Sequence, residues 1–203
     1  TLAGQFADAG HVKTRLEKKA TRVGRRGALT DSPLCGQVIP ANSAEMSRWP
    51  LPDSMQLALD EARLGESAGE VPIGAVIIKD GTVIAAAHNQ PRGLTDPTAH
   101  AEVLAIRAAA QALGNERLDG CELWVTLEPC PMCAGAISHA RISKLYYAAS
   151  DPKGGAVEHG ARVFEQEQCL HRPEVYSGMG ETEAADLLRR FFRVRRESER
   201  GEV

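Results

Sequence analysis

The sequence lacks a long apolar run, an excess of positive charge and a paired cysteine framework. No apolar stretch approaches the roughly 20 residues needed to cross a bilayer, so we expect no membrane span. The formal net charge is −3, and any contact with nucleic acid therefore requires a local basic patch, because phosphate attraction follows local charge density. The first residues show no charged segment followed by an apolar core, so a secretory signal is not expected.

The cysteines do not suggest a disulfide-stabilised fold. The chain has 203 residues, the length of one ordinary domain, and an odd number of cysteines, five, which does not indicate a disulfide framework. Cys130 and Cys133 are separated by only two residues, which is metal or redox spacing. We expect a protein of the reducing cytoplasm.

Residues 1–45 differ in composition from the rest of the chain. They contain seven lysines and arginines and no sustained apolar period, which predicts a disordered extension. A targeting segment is the functional alternative, because such segments are Arg-rich, although Glu17 and Asp31 count against it. A third hypothesis is that translation starts at Met46, where the organised sequence begins. Residues 46–203 are predicted to form the folded domain.

A regular pattern begins at Pro52. Apolar residues recur there at helical spacing, with Asp53 or Ser54 placed to cap the helix and Gly69 placed to end it. Asp80-Gly81 separates two apolar runs, which predicts a hairpin. The predicted strands are residues 73–78, 82–87, 122–127 and 144–149, and the further predicted helices are residues 100–113, 131–139 and 181–197. Their alternation predicts a layered α/β domain.

Two short motifs carry the candidate metal ligands. His100-Ala101-Glu102 opens one predicted helix, and Pro129-Cys130-Pro131-Met132-Cys133 lies at a strand-to-helix junction. Imidazole nitrogen and thiolate sulfur are ligands that zinc prefers, and three protein ligands leave the fourth tetrahedral position for water. A helix N-terminus also favours thiolate over thiol. The motifs predict a catalytic zinc site with ligands His100, Cys130 and Cys133, in which Fe or Co are alternative metals.

Glu102 supplies the acid–base group for such a site. A carboxylate beside a zinc-bound water can take its proton and pass it to a ring nitrogen and then to a leaving amine. The two motifs in this order are the signature of zinc-dependent nucleobase deaminases, in which zinc-bound hydroxide attacks the amino-bearing carbon. A redox pair or a structural zinc site is the alternative. A structural site needs a fourth ligand, for which Cys121 and Cys169 are candidates.

From about residue 52 to residue 196 the chain resembles the bacterial tRNA-specific adenosine deaminases. The matching segments are residues 70–75, 96–102, 126–136, 151–156 and 191–196, together with Asn89, Arg141 and Ile142. The resemblance implies hydrolytic deamination of adenosine to inosine at the wobble position of an arginine tRNA. It also implies a three-layer α/β/α cytidine-deaminase-like sandwich around a five-stranded mixed sheet. Members of the family are homodimers with the active site near the subunit interface.

The resemblance also implies roles for individual residues. It assigns one zinc ion per subunit to His100, Cys130 and Cys133, and the proton shuttle to Glu102. The implied substrate contacts are Asn89, Ala101, Asp151, Lys153, Phe191, Phe192, Arg193, Arg195 and Arg196. The last five belong to a helix that contacts the anticodon loop, where phenyl rings suit unpaired bases and arginines suit phosphates. The alternative for this helix is a solvated basic face with its apolar residues packed inward.

Two other functions remain open at this stage. Guanine deaminases share the His-Ala-Glu and Glu-Pro-Cys-Pro-Met-Cys segments, so those motifs do not separate a free base from a tRNA as substrate. The loop at residues 151–156 and the Arg-rich end favour the tRNA enzyme, because a small base does not need a basic helix. The second alternative is a non-catalytic RNA-binding subunit, against which Glu102 argues.

Overall fold

The structure is a computed structural model that describes residues 51–201. The predictions made for residues 1–45 and for Met46 lie outside the described residues. Within residues 51–201, no helix combines the length and the apolar character that a membrane span requires.

Helices and strands alternate along the described residues. In chain order they are α1 (Asp53–Ser67), β1 (Gly74–Lys79), β2 (Thr82–His88), α2 (Ala101–Leu113), β3 (Cys121–Leu127), α3 (Pro131–His139), β4 (Lys144–Ala149), β5 (Glu174–Ser177) and α4 (Glu181–Glu199). A single 3-10 turn, Val163–Glu165, precedes β5. The predicted α/β alternation is confirmed, and the residue pattern missed only β5. That strand has four residues, of which three are exposed, so it carries no apolar alternation.

The predicted side-chain cap of α1 is wrong. Pro52 occupies the N-cap position, Asp53 is the first helical residue, and no side chain caps the helix. The Pro52 carbonyl instead accepts the backbone N–H groups of Met55 and Gln56 at 2.9 and 3.0 Å. Asp53 lies in the first turn, where its carboxylate interacts favourably with the helix dipole.

The five strands form one mixed sheet in the order β2-β1-β3-β4-β5. β1 is antiparallel to both β2 and β3, whereas β3, β4 and β5 run parallel to one another. This is the five-stranded mixed sheet expected from the family resemblance.

Helices cover both faces of the sheet. One core contains Ala105 of α2 and Ile137 of α3 packed with Leu123 and Tyr147 of the strands. The other contains Leu59 of α1 and Ala184 of α4 packed with Trp124. Leu123 and Trp124 are neighbours in β3, and successive residues of a strand face opposite sides. The predicted three-layer α/β/α sandwich is therefore confirmed.

The segments that follow β2, β3 and β4 lie at the same edge of the sheet. The parallel strands β3 and β4 end there, and the Glu128 N–H donates to the Ala149 carbonyl at 2.8 Å. Because β1 is antiparallel to β3 and β2 is antiparallel to β1, β2 also ends at this edge. The residues that follow β2, β3 and β4 are thus brought together.

Gly74 allows α1 to approach β1 closely. A Cβ atom at this position would lie 2.5 Å from the Ala62 nitrogen and closer still to the Ala58 carbonyl oxygen. We expect Gly74→Ala to lower the free energy of unfolding by about 1–3 kcal/mol through overpacking. Urea denaturation of the two proteins measures this change. Gly93→Ala is the control, because its Cβ would make only an ordinary contact, 3.5 Å from Glu70 Oε1. An unfolding midpoint of Gly74→Ala equal to that of the control would contradict the expectation.

Candidate active site

His100, Cys130 and Cys133 converge at the sheet edge where β2 and β3 end. The Nδ1 atom of His100 lies 3.7 Å from the Cys130 sulfur and 3.5 Å from the Cys133 sulfur. All three ligand atoms lie within 4.8 Å of one another. Of the four described cysteines, only Cys130 and Cys133 belong to such a cluster; Cys121 is buried in the core beside Leu123.

The separations of the donor atoms fit one tetrahedral ion. Zinc binds histidine nitrogen at about 2.0–2.1 Å and cysteine sulfur at about 2.3 Å, which places the two donor atoms about 3.6 Å apart at a tetrahedral angle. The distances of 3.5 and 3.7 Å from His100 to the two sulfurs match this value. The three side chains therefore form a metal-binding arrangement with a nitrogen–sulfur donor set.

Local structure explains how the two cysteines reach the site. Cys130 is the N-cap of α3 and Pro131 occupies the first helical position, where its missing N–H costs little. The pKa of Cys130 falls to about 4, because the Cys133 thiol and then His100 donate hydrogen bonds that outweigh the effect of burial. The same hydrogen bond from Cys133, together with burial, raises the pKa of Cys133. The two sulfurs thus share one proton, which would be lost to solvent when a cation binds both of them.

Glu102 lies in the first turn of α2 and is only 4% exposed. Burial raises the pKa of its carboxyl, and the negative charge of Cys130 adds to this effect, while His100 acts in the opposite direction. The carboxyl also interacts with the Cys133 thiol. The buried acid thus stands directly beside the ligand cluster, as the sequence predicts.

Asn89 positions the helix that carries His100 and Glu102. Its side-chain oxygen accepts the backbone N–H of Ala101 at 2.8 Å, which satisfies one of the unpaired donors at the start of α2. Asn89 is buried, and the Ala101 side chain is fully buried in the core. The substrate contacts expected from Asn89 and Ala101 stay predictions. In this structure the pair joins the end of β2 to the start of α2.

Asp151 and Lys153 lie in the loop that leaves β4 at the same edge. The Asp151 carboxylate accepts the backbone N–H groups of Lys153 and Gly154, each at 3.0 Å. This arrangement forms a local turn and leaves the Lys153 side chain exposed. The Asp151 N–H donates to Glu128 of the segment that carries the metal ligands, and the contacts of Asp151 and Lys153 with substrate stay predictions.

Two buried carboxylates near the site were not predicted from the sequence. Glu128, immediately after β3, accepts hydrogen bonds from Asp151 and from residues 157–159. Although burial acts to raise its pKa, the backbone N–H groups of Asp151 and His159 lower it overall. Glu70 accepts the Gly93 N–H at 2.7 Å. Each acid holds one of the two loops beside the site. One indication of these roles is present in the sequence: Glu70 and Glu128 both lie inside segments that match the family, residues 70–75 and 126–136.

The predicted RNA-contact residues lie on α4. Phe192 is 41% exposed, whereas Phe191 is half-buried, and their rings meet edge to face at 5.4 Å. Phe192, Arg193 and Arg196 line a surface depression of about 400 Å³. Arg195 pairs with Glu199 at 3.3 Å, while Arg193 and Arg196 form no ion pair with any residue in 51–201. The helix thus buries Leu187 and presents unpaired arginines beside an exposed ring.

Comparisons with known proteins agree with this geometry. Residues 52–196 match the family model described as MafB19-like deaminase. The tRNA-specific adenosine deaminase of Agrobacterium fabrum is 61% identical over 142 residues, which cover 70% of this chain and 93% of the relative. A solved structure from studies of A-to-I editing by tRNA:A34 deaminases at the wobble position of transfer RNA has a TM-score of 0.66 at 60% identity, covering 67% of this chain and 99% of its own.

The chain is also similar, more distantly, to a guanine deaminase. The structure of a guanine deaminase from Nitrosomonas europaea has a TM-score of 0.56 at 26% identity and covers 81% of this chain and 98% of its own. This identity is less than half of that to the tRNA deaminases. The chain therefore belongs to the MafB19-like deaminases and to the family of the tRNA-specific adenosine deaminases.

Proposed function

We propose that this protein hydrolyses adenosine to inosine at the wobble position of a tRNA of the arginine type. The observation that carries the proposal is the buried carboxyl of Glu102 beside the ligand cluster of His100, Cys130 and Cys133. Because tRNA is the proposed substrate, we expect the enzyme to act in the cytoplasm.

The donor set fits zinc, and His100, Cys130 and Cys133 would hold one ion in each subunit. When bound, zinc supplies Lewis acidity, which lowers the pKa of water from 15.7 to about 7. Glu102 takes a proton from the attacking water and delivers it to the ring nitrogen next to the amino-bearing carbon. Glu102 then takes the remaining proton from the newly added hydroxyl group and transfers it to the amino group. A carbon–oxygen bond forms, the carbon–nitrogen bond breaks, and ammonia leaves.

The raised pKa of Glu102 suits this proton transfer. A group that both accepts and donates a proton works best when its pKa lies close to the operating pH. Burial moves the pKa of Glu102 in that direction from the usual carboxyl range. Because α2 also carries His100 at its N-cap, the helix holds the proton-transfer group and a metal ligand in one rigid unit.

The preference for RNA over a free base is supported by α4. Among residues 51–201, Arg193 and Arg196 have no ion-pair partner, and they line a depression with the exposed ring of Phe192. Arginines with aromatic rings suit the phosphates and unpaired bases of a loop. A free guanine carries no phosphate and would gain nothing from this helix. The resemblance to tRNA deaminases over most of the chain adds independent support.

Changing Arg193, Arg195 and Arg196 together to alanine is expected to weaken binding of an arginine-tRNA anticodon stem-loop by about tenfold or more. Each lost phosphate contact removes counterion release, so the dependence of affinity on salt also falls. Fluorescence anisotropy at several salt concentrations measures both changes.

The matched control removes the same charge elsewhere on the surface. Arg63, Arg117 and Arg172 are exposed, and their joint replacement by alanine should change affinity less than the α4 triple variant does. If the wild type and the α4 variant bind with equal affinity at moderate salt, α4 does not contact the RNA and is a solvated basic face.

We further infer that the enzyme is a homodimer, as its family resemblance implies. An exposed depression of about 380 Å³ beside α3 is lined by Gly135, Ser138 and the 85% exposed Leu170. Exposed apolar side chains of this kind suit a protein interface. Light scattering during gel filtration should give twice the mass of the chain.

A further inference from the structure

The loop of residues 151–160 is tied to the segment that carries the metal ligands by one buried carboxylate. The side chain of Glu128 has no exposed surface. One of its oxygens, Oε1, accepts the backbone N–H groups of Val157, Glu158 and His159 at 3.1, 2.9 and 3.0 Å. A single atom therefore fixes three consecutive residues near the far end of the loop.

The second oxygen of Glu128 holds the near end of the same loop. Oε2 accepts the backbone N–H of Asp151 at 3.0 Å, and Nδ1 of His159 lies 2.7 Å from it. Hydrogen bonds to an ionised group are about twice as strong as neutral ones. The two oxygens together close the loop on itself around the carboxylate.

Further contacts join this loop to Pro129 and Glu128 in the segment that carries the metal ligands. The Ala156 N–H donates to the carbonyl of Pro129, the residue before Cys130, at 2.9 Å. At Gly155, a Cβ atom would lie 2.5 Å from both the Asp151 carbonyl oxygen and the Glu128 carboxyl carbon. The backbone of the loop thus packs directly against the carboxylate, with no room for a side chain.

We propose that Glu128 is a positioning residue for RNA binding: it sets the loop of residues 151–160 beside the ligand segment so that Lys153 meets the RNA backbone. Lys153 is exposed at the tip of the turn formed by Asp151. Within residues 51–201, the side-chain hydrogen bonds of Glu128 go to Asp151 and to residues 157–159, all of them in this loop. The inference rests on the proposed function, because it assigns the loop to the RNA substrate of the same site.

Glu128→Gln tests this role with the smallest change of shape. Whichever way the new side chain turns, its amide nitrogen faces backbone N–H donors, because both oxygens of Glu128 accept them. One end of the loop therefore loses its acceptor. Since α2 and α3 hold Glu102 and the ligands, we expect the KM for the anticodon stem-loop to rise about tenfold, while kcat falls less than about threefold.

Two further readouts accompany the kinetics. Metal analysis should give the same zinc content as the wild type. Amide hydrogen exchange should become faster at Asp151 and at residues 157–159, and this measurement does not depend on the substrate. Glu122→Gln is the matched control, because Glu122 lies on the same strand, β3, but bonds Trp124 and Lys144; it should leave KM and the loop exchange unchanged.

A second variant disturbs the loop while keeping the carboxylate. Gly155→Ala pushes the backbone away from Glu128 and should raise KM in the same way, which covers the case that Glu128→Gln does not fold. Lower kcat or zinc content at an unchanged KM, or unchanged exchange in folded Glu128→Gln, would overturn the proposal. If the wild type does not deaminate RNA, the proposed function is refuted. Faster amide exchange in Glu128→Gln would then still show that Glu128 holds the loop, but not that the loop binds RNA.

Discussion

Replacing Glu102 by glutamine is expected to lower kcat by about 10²- to 10⁴-fold, which is the usual contribution of a positioned general acid–base group. Glutamine fills the same buried space beside Cys133 but cannot carry a proton between water, the ring nitrogen and the leaving amine. The three ligands stay in place, so zinc content should not change. Ammonia release and inosine formation measure the loss, and metal analysis verifies the site.

The control for this variant is a carboxyl-to-amide change outside the cluster. Glu61 of α1 is partly buried and pairs with His88 at 3.0 Å, so Glu61→Gln should lose little activity. Appreciable turnover in the Glu102 variant with a full complement of zinc would contradict the proposed mechanism, because Glu102 is the carboxyl that interacts with His100 and Cys133.

Removing the metal is expected to cost more than 10³-fold in activity, as a rough lower limit, because hydroxide is scarce at neutral pH without a Lewis acid. Dialysis against a chelator should abolish turnover, and about one equivalent of zinc per chain should restore it. In Cys133→Ala the same addition should fail to restore activity, because one of three protein ligands is missing.

Cys169→Ala is the control for the ligand variant. Cys169 is a free, half-buried cysteine that contacts Ser138 and the His171 carbonyl, well separated in sequence from the motif. It should keep its zinc and its activity. Full turnover of the chelated wild type, or of zinc-treated Cys133→Ala, would contradict the assignment of the ligands.

The grouping of the candidate metal ligands could be predicted because its signals are local in the sequence. His100 and Glu102 are two positions apart, Cys130 and Cys133 are three apart, and each pair opens a helix whose start is marked by nearby residues such as Pro131. Residue spacing and helix starts of this kind can be recognised in the sequence without knowledge of the tertiary structure. The predicted helices and four of the five strands rest on equally local apolar periodicity.

Features that depend on distant partners were not predicted. In the sequence, Glu128 is one polar residue of a motif. Its role is seen only in the fold, where it accepts hydrogen bonds from residues that lie 23 to 31 positions later in the chain. Similarly, Arg190 of α4 pairs with Glu66 of α1 across 124 positions. β5 is stabilised by its neighbour β4 and has no apolar pattern of its own. A single sequence carries no local mark of such pairings.

The most direct test of the central claim is product analysis with the purified full chain and zinc. An arginine-tRNA anticodon stem-loop and free guanine are incubated in parallel, and ammonia, inosine and xanthine are measured. The account predicts inosine at the wobble adenosine with guanine unchanged. Turnover of guanine with the stem-loop untouched would contradict it, and would leave the metal chemistry in place while removing the RNA role assigned to α4.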